Sequence, residues 1–253
     1  MNPKVKHILC QIAIGLTLFV LLGYCMFAII YFKAPTTTPC QTVQVCIKDS
    51  AEHRYINSSM IHQYMQRKQV QVFGKEIGIA ETNRIEQLIQ QLSPVKEVQC
   101  YMGYDSCLYI DIWQRQPLFR VIPHQGKSYY IDNERKSMPL SNLFTPYVPI
   151  LSGHVNTKAA QNEWYDFMNY LINDDDWRVL IAEVHVNSKQ QICLTSRQGV
   201  PYIEVGSLEQ AQKNLQKLRA WYQQYPGKNS PNLYHKISIQ YNNLIFCSKN
   251  QQP

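Results

Sequence analysis

The side chains of this 253-residue chain with the most chemical potential are seven histidines, eight cysteines and the acidic run Asp174–Asp176. A hydrolase would need a nucleophile held beside a base, and a metal enzyme would need ligands at short, paired spacing. His124, His154 and His185 fall near predicted loops or strand ends, and no nucleophile is recognisable beside them. Cys193 stands in a strand-like stretch, where a thiol packs more often than it attacks. The Asp174–Asp176 run follows a predicted helix and reads as a solvated turn. Neither a Gly-x-Ser-x-Gly elbow nor a phosphate loop or zinc-helix signature occurs. Trp164 and Trp221 lie on helical faces and read as core. The sequence thus predicts no catalytic residue, no metal and no cofactor, which leaves binding as its chemistry. The net charge of +7 is scattered along the chain, not gathered into a stripe with interleaved aromatics, so nucleic acid is not the expected partner.

The compartment in which such binding takes place is set near the N-terminus. No Asp, Glu, Lys or Arg occurs between Lys6 and Lys33, and Ile8–Phe32 is overwhelmingly apolar. About 20 such residues cross a bilayer as a helix, whereas a cleaved signal has a shorter apolar region ending in small residues. A membrane anchor is therefore expected. Lys4, Lys6 and the α-amino group precede it, so the N-terminus should stay inside and the chain from Ala34 onward should lie outside. Cys10 and Cys25 fall in the span. Cys40, Cys46, Cys100, Cys107, Cys193 and Cys247 would then meet an oxidising compartment, but no particular pairing follows from their spacing. Cys100 and Cys107 flank a predicted turn and are either strand neighbours or small buried hydrophobes.

After a short spacer at 34–38, a strand is predicted at Thr42–Ile47. A helix capped within Asn57–Ser59 follows, with Met60, Ile61, Tyr64 and Met65 on its inner face. In a second helix, Thr82–Leu92, Ile85, Leu88, Ile89 and Leu92 recur at helical spacing. Strands at Val95–Met102 and Leu108–Gln114 complete a small unit of order βααββ. Beyond it, strands are expected at Phe119–Ile122 and Tyr129–Asp132, then a proline-punctuated run. A helix from about Ala159 to Asn173 presents Ala160, Trp164, Phe167, Met168 and Leu171. Strands at Leu180–Val186, Gln191–Thr195 and Tyr202–Val205 suggest an antiparallel meander. Ser207 and Gln210 form a capping box for a last helix, with Leu208, Ala211, Leu215, Leu218, Tyr222 and Tyr225 on one face, ending in a Pro226–Pro231 loop. The fold class is α+β: an N-terminal transmembrane helix, a small βααββ unit and a larger β-rich unit with flanking helices.

Two final strand candidates, His235–Tyr241 and Leu244–Ser248, surround Asn242-Asn243, a pair suited to a tight hairpin turn. A terminal strand is often an edge strand, whose unpaired backbone groups can template an extended partner segment. The residues expected to bind a partner are Tyr241, Leu244, Ile245, Phe246, Cys247 and Ser248.

The succession of motifs resembles the FtsQ/DivIB family of bacterial cell-division proteins over essentially the whole chain. Ser93-Pro94-Val95-Lys96-Glu97-Val98 resembles the helix-to-strand passage of that family's POTRA domain. Ile110-Asp111-Ile112-Trp113-Gln114-Arg115-Gln116-Pro117 resembles its strand ending in arginine and proline. Tyr129-Tyr130-Ile131-Asp132, Met138-Pro139-Leu140, Pro149-Ile150-Leu151-Ser152-Gly153 and Ile237-Ser238-Ile239-Gln240-Tyr241-Asn242-Asn243 follow in the family's order. One departure is Asn133-Glu134-Arg135-Lys136, which stands where the family often has a glycine turn. The resemblance implies a cytoplasmic tail at 1–7, a transmembrane helix at 8–32, a spacer at 33–40, a POTRA domain at 41–117 and an FtsQ-type β domain at 118–250. It further implies a non-catalytic scaffold of the inner membrane at the division septum. The implied partners are FtsB- and FtsL-type division proteins and other septal peptidoglycan machinery, with the last strands accepting a segment of FtsB. The alternative expectation is a POTRA-containing factor for envelope protein translocation or assembly, which would bear repeated POTRA units or a membrane barrel; the sequence contains one such unit and no barrel pattern.

Overall fold

A computed structural model describes residues 3–31, 39–50, 54–198, 200, 202–224, 234–242 and 244–249. The expected spacer at 34–38, Gly199, Tyr225, the Pro226–Pro231 loop and Asn243 lie outside them. The first element is α1 (Pro3–Tyr31), a continuous helix of 29 residues. Its side chains are described at 12 and 14–28, where Thr17 donates to the Ile14 carbonyl at 2.8 Å within the helix. Among the described residues no helix is long and apolar enough to cross a membrane.

The small unit folds as its periodicity requires. β1 (Thr42–Ile47) is followed by α2 (Ser58–Arg67), α3 (Ile79–Gln90), β2 (Val95–Met102) and β3 (Cys107–Gln114), with sheet order β1-β3-β2. β1 runs parallel to β3, and β2 runs antiparallel to it. The Asn57 side chain caps α2 by accepting the Met60 amide at 2.9 Å. Ile61, Met65, Ile85 and Ile89 bury against Val98, Leu108, Ile110 and Ile112. Met60 departs from the expectation: it sits beside the cap, one helical step off the buried stripe, and is exposed.

The larger unit is a nine-stranded sheet of order β12-β11-β10-β9-β8-β7-β4-β5-β6. Its strands are β4 (Pro117–Pro123), β5 (Tyr129–Asp132), β6 (Ser137–Pro139), β7 (Ile150–Gly153), β8 (Ile181–Val186), β9 (Gln191–Ser196), β10 (Tyr202–Ser207), β11 (Tyr234–Ser238) and β12 (Phe246–Lys249). β8, β9 and β10 form the expected antiparallel meander, and the sheet around it is mixed: β4 is parallel to β7, β7 to β8 and β10 to β11. The β4–β7 connection runs through β5 and β6, and helices make the other two crossovers. Three of them, α4 (Thr157–Gln161), α5 (Glu163–Asn173) and α6 (Asp175–Leu180), join β7 to β8, and α7 (Leu208–Gln224) joins β10 to β11. The expected single helix from Ala159 is broken at Asn162, whose φ of −116° and ψ of −99° leave the helical region. Its apolar stripe survives the break, because Trp164, Phe167, Met168 and Leu171 all bury against the sheet.

The acidic run is not a free turn. Asp174 caps α6 by accepting the amides of Asp176 and Trp177, and it also accepts from Arg219 at 2.5 Å. Burial works against its ionisation, but Arg219 and the two amides outweigh that and hold the carboxyl below the usual range. The glycine-free turn after β5 is closed by Arg135 in the left-handed region, at φ +64°. Asp132 makes this possible, because its Oδ1 collects the amides of Glu134 at 2.8 Å and Lys136 at 2.7 Å. Its Oδ2 pairs with Arg115 Nη1 at 2.8 Å, with the Asp132 side chain 0% and the Arg115 side chain 11% exposed.

That ion pair joins the two units, because Arg115 directly follows β3 while Asp132 ends β5. Beside it the Gln114 side chain accepts the Tyr55 and Ile56 amides at 2.9 and 3.1 Å and donates to Asp49 at 2.9 Å. Tyr55 in turn buries among Tyr130 and Met138 of the larger unit. Removing one member of a buried pair leaves an uncompensated charge, at a cost of about 3–5 kcal/mol. Arg115→Met is therefore expected to lower unfolding free energy by about that amount. The double variant Arg115→Met with Asp132→Asn, which keeps an acceptor for both turn amides, should recover at least about 1 kcal/mol of it. Urea denaturation of both variants checks the pair.

Candidate functional site

The residues expected to bind a partner gather at one end of the large sheet. β12 is its terminal strand, pairing antiparallel with β11 in the register Lys236↔Ser248, Ile237↔Cys247 and Ser238↔Phe246. Among the described residues no further strand pairs with β12, which is the last strand on this side of the sheet. Phe246, Cys247 and Ser248 lie in this strand, whereas Tyr241, Leu244 and Ile245 precede it. Tyr241, Leu244 and Phe246 are about half exposed, and the Tyr241 and Phe246 rings meet edge to face at 5.3 Å. Ile245 and Cys247 turn the other way and pack against the core. The six residues thus divide into an outward apolar group, an inward pair and Ser248 on the ladder.

The tight turn expected at Asn242-Asn243 includes Asn243, which lies outside the described residues. β11 ends at Ser238 and β12 starts at Phe246, so residues 239–245 connect them. Lys217 of α7 ties the described part of this connection to the helix, its ammonium donating to the carbonyls of Ile239 at 2.8 Å and Tyr241 at 2.6 Å. Burial first, and then the neighbouring Lys213, lower the Lys217 pKa. Below the strand, Trp221 meets Tyr222 and Tyr234 edge to face at 5.2 and 6.2 Å. Burial, with Cys247 beside it, pushes the Tyr222 hydroxyl up to about 12. Nothing in the sequence marks Lys217, since a single lysine on an amphipathic helix reads as solvated.

Other strand edges in the protein are closed. β6 has three residues, follows Lys136 and ends in Pro139, features that blunt an edge. In the small unit, the outer edge of β2 is occupied by α3. Glu86 accepts the Cys100 amide at 2.6 Å, and Gln90 donates to the Lys96 carbonyl at 2.5 Å. On β1, Ser58 donates to the Val45 carbonyl at 3.3 Å. Strand addition at these places would first have to displace those side chains.

The enzyme-like residues also find places. Ser152 of β7 meets both Glu183 and His185 of β8, at 2.5 and 2.8 Å. This is not a relay in which histidine stands between serine and acid. The serine hydroxyl donates to the Glu183 carboxylate and the His185 imidazole meets the same hydroxyl, so the histidine does not link serine to acid. Cys193 stands opposite His185 on β9 but is buried. Among the described residues no group of three or more His, Cys, Asp or Glu is arranged to hold a metal ion. Cys40, Cys46, Cys100, Cys107 and Cys193 are free thiols, and burial pushes that of Cys100 up to about 12. Cys100 and Cys107 are not register partners: Cys100 faces Ile110 across the hairpin.

The family model described as FtsQ/DivIB, C-terminal related, matches residues 116–248. The chain belongs to the FtsQ/DivIB family. A POTRA-like domain model matches residues 38–113, the segment that carries the βααββ unit. No curated protein matches the chain. FtsQ/DivIB and POTRA domains are in general non-catalytic, and the family is associated with the membrane at the division site. In this FtsQ/DivIB chain, Arg115 of the strand–arginine–proline motif is the residue that clamps the two units together.

Lys217 provides a test of how the edge is presented. Lys217→Met should release the 239–245 segment from α7 and speed amide hydrogen exchange across 239–249, by about tenfold or more if both carbonyl bonds are lost. Exchange in β7 and β8 should stay unchanged. Mass-spectrometric hydrogen exchange on the full chain checks both.

Proposed function

We propose that the chain is a non-catalytic, bitopic scaffold of the bacterial division machinery that binds an FtsB-type partner, together with FtsL, by strand addition at β12. The single observation that carries this reading is the contrast between edges: β12 is the terminal strand, beyond which no strand pairs among the described residues, while β6 is three residues long and β2 and β1 are contacted by side chains. An added strand would extend the main-chain ladder, and alternate side chains would set specificity. Tyr241, Leu244 and Phe246 give such a segment an apolar landing surface beside the ladder. In this reading the POTRA domain spans 41–117 and the β domain 118–250.

The anchor in this proposal is the apolar stretch Ile8–Phe32, with the N-terminus cytoplasmic and the chain from Ala34 onward periplasmic at the septum. Its support is the absence of Asp, Glu, Lys and Arg between Lys6 and Lys33, together with a helix of 29 residues. The alternative of a translocation or assembly factor would use a POTRA strand edge for extended polypeptides, and here Glu86 and Gln90 already occupy the β2 edge.

Ser248→Pro places a residue with no amide donor in β12, and Leu244→Ala with Phe246→Ala removes the outward apolar group without touching the backbone. Each is expected to weaken binding of the periplasmic segment of FtsB to the full chain by at least about tenfold. Ile245→Pro should also weaken it, but through loss of core packing, with a matching drop in thermal stability. Unchanged affinity in the folded Ser248→Pro and Leu244→Ala/Phe246→Ala proteins would remove β12 from the interface.

A further inference from the structure

A second feature lies away from β12, where the parallel strands β4 and β7 end. The His124 amide donates to the Gly153 carbonyl at 2.7 Å, and the His154 amide donates to the Val186 carbonyl at 2.8 Å. These bonds continue the ladder by one residue on each strand and set the two imidazoles face to face, with centroids 4.4 Å apart and planes 22° from parallel. The approach is close enough to require glycine at 153, where φ is +96° and an added Cβ would lie 2.1 Å from the Val186 carbonyl oxygen. The stacked pair opens onto a polar hollow of about 730 Å³ that also presents Lys127, Asn156, Thr157 and Gln190.

No Asp or Glu lines this hollow. The titratable groups facing the pair are Lys127, Tyr129, whose hydroxyl burial keeps neutral, and His185 across Gly153. The one carboxylate nearby on the strands, Glu183, is engaged by Ser152 and does not line the hollow. Two imidazoles and an ammonium therefore converge without a counter-charge. Histidine is the side chain that ordinarily changes charge between pH 5 and 8. Stacked imidazoles that both take a proton repel each other unless an anion lies against them. A metal ion fits less well: face-stacked rings point their nitrogen lone pairs side by side, whereas two ligands must converge on one ion at about 2.0–2.1 Å.

We propose that the hollow is a binding site for a phosphate-class oxyanion, held by His124, His154 and Lys127 with uptake of protons by the histidine pair. Gln190 and Asn156 border the site; the Gln190 amide already donates to the His154 carbonyl at 3.2 Å and Asn156 Oδ1 accepts the Ala159 amide at 2.8 Å, which hold both side chains at its rim. The same chemistry is presented by free phosphate and by the phosphate headgroup of a membrane lipid.

The test uses the full chain in neutral-lipid nanodiscs titrated with inorganic phosphate by calorimetry at pH 6 and pH 8. Binding is expected to be about tenfold or more tighter at pH 6. His154→Gln should bring the ratio between the two pH values close to one, while Lys127→Ala should weaken binding at both pH values and preserve the ratio. The imidazole proton resonances of His124 and His154 provide a second readout that does not depend on heat. If these resonances move on placing the chain in phosphatidic acid nanodiscs without added phosphate, the lipid headgroup is the source; if they move only with added phosphate, the free anion is. Absence of phosphate-dependent heat and resonance shifts at pH 6, equal affinity at both pH values, or an unchanged pH ratio in folded His154→Gln would each overturn the proposal.

Discussion

The buried contact between Arg115 and Asp132 carries three structural duties at once. It ties the end of β3 to the end of β5, and so one unit of the protein to the next. It neutralises a carboxylate with no solvent exposure, which would otherwise be too costly to keep charged. It also fixes the carboxylate that gathers the amides of the glycine-free turn, letting Arg135 hold a left-handed conformation that a non-glycine residue rarely takes. Gln114, one residue earlier, ties down the segment carrying Tyr55 by the same economy, one side chain meeting three polar groups. The β5–β6 end of the large sheet is thereby committed to the junction, and its opposite end, at β12, is left for something else.

Much of this was legible in the sequence where local pattern and tertiary outcome agree. The βααββ order, the Asn57 cap and the buried Ile85 and Ile89 follow from helical spacing and capping chemistry that the surroundings do not overrule. The terminal position of β12 was legible too, as a strand at the chain's end. Other parts were decided by distant contacts. Lys217 lies 22 residues from the first carbonyl it binds, and no local rule links it to that segment. Asp174 looked like part of a solvated run because its meaning depends on Arg219, brought beside it only when α7 packs. The parallel pairs within the large sheet are invisible to alternation alone, which reports that a strand is half-buried but not which neighbour it takes. The meeting of Ser152, Glu183 and His185, and the stacking of His124 on His154, depend on that same parallel order.

Edge chemistry gives the fold its directional character. In a protein with two sheets, indiscriminate strand pairing is a hazard that short edges, prolines and intruding side chains reduce. Here such devices are placed at β6, β2 and β1, and β12, itself short and ending in Lys249, differs from them in the exposed Leu244 and Phe246 that accompany it. The inward packing of Ile245 and Cys247 keeps that edge in place, and the outward Tyr241, Leu244 and Phe246 make it sticky to a matching apolar segment. In the proposed reading, docking at β12 would leave the core closed and the Arg115–Asp132 junction intact.

The measurement that bears most directly on this account is amide hydrogen exchange of the full chain in the presence and absence of the FtsB periplasmic segment. The account predicts new protection concentrated in 246–249, with smaller changes across 239–245 and none in β2. Protection confined to β2 or the helices of the POTRA domain, with β12 unchanged, would contradict it.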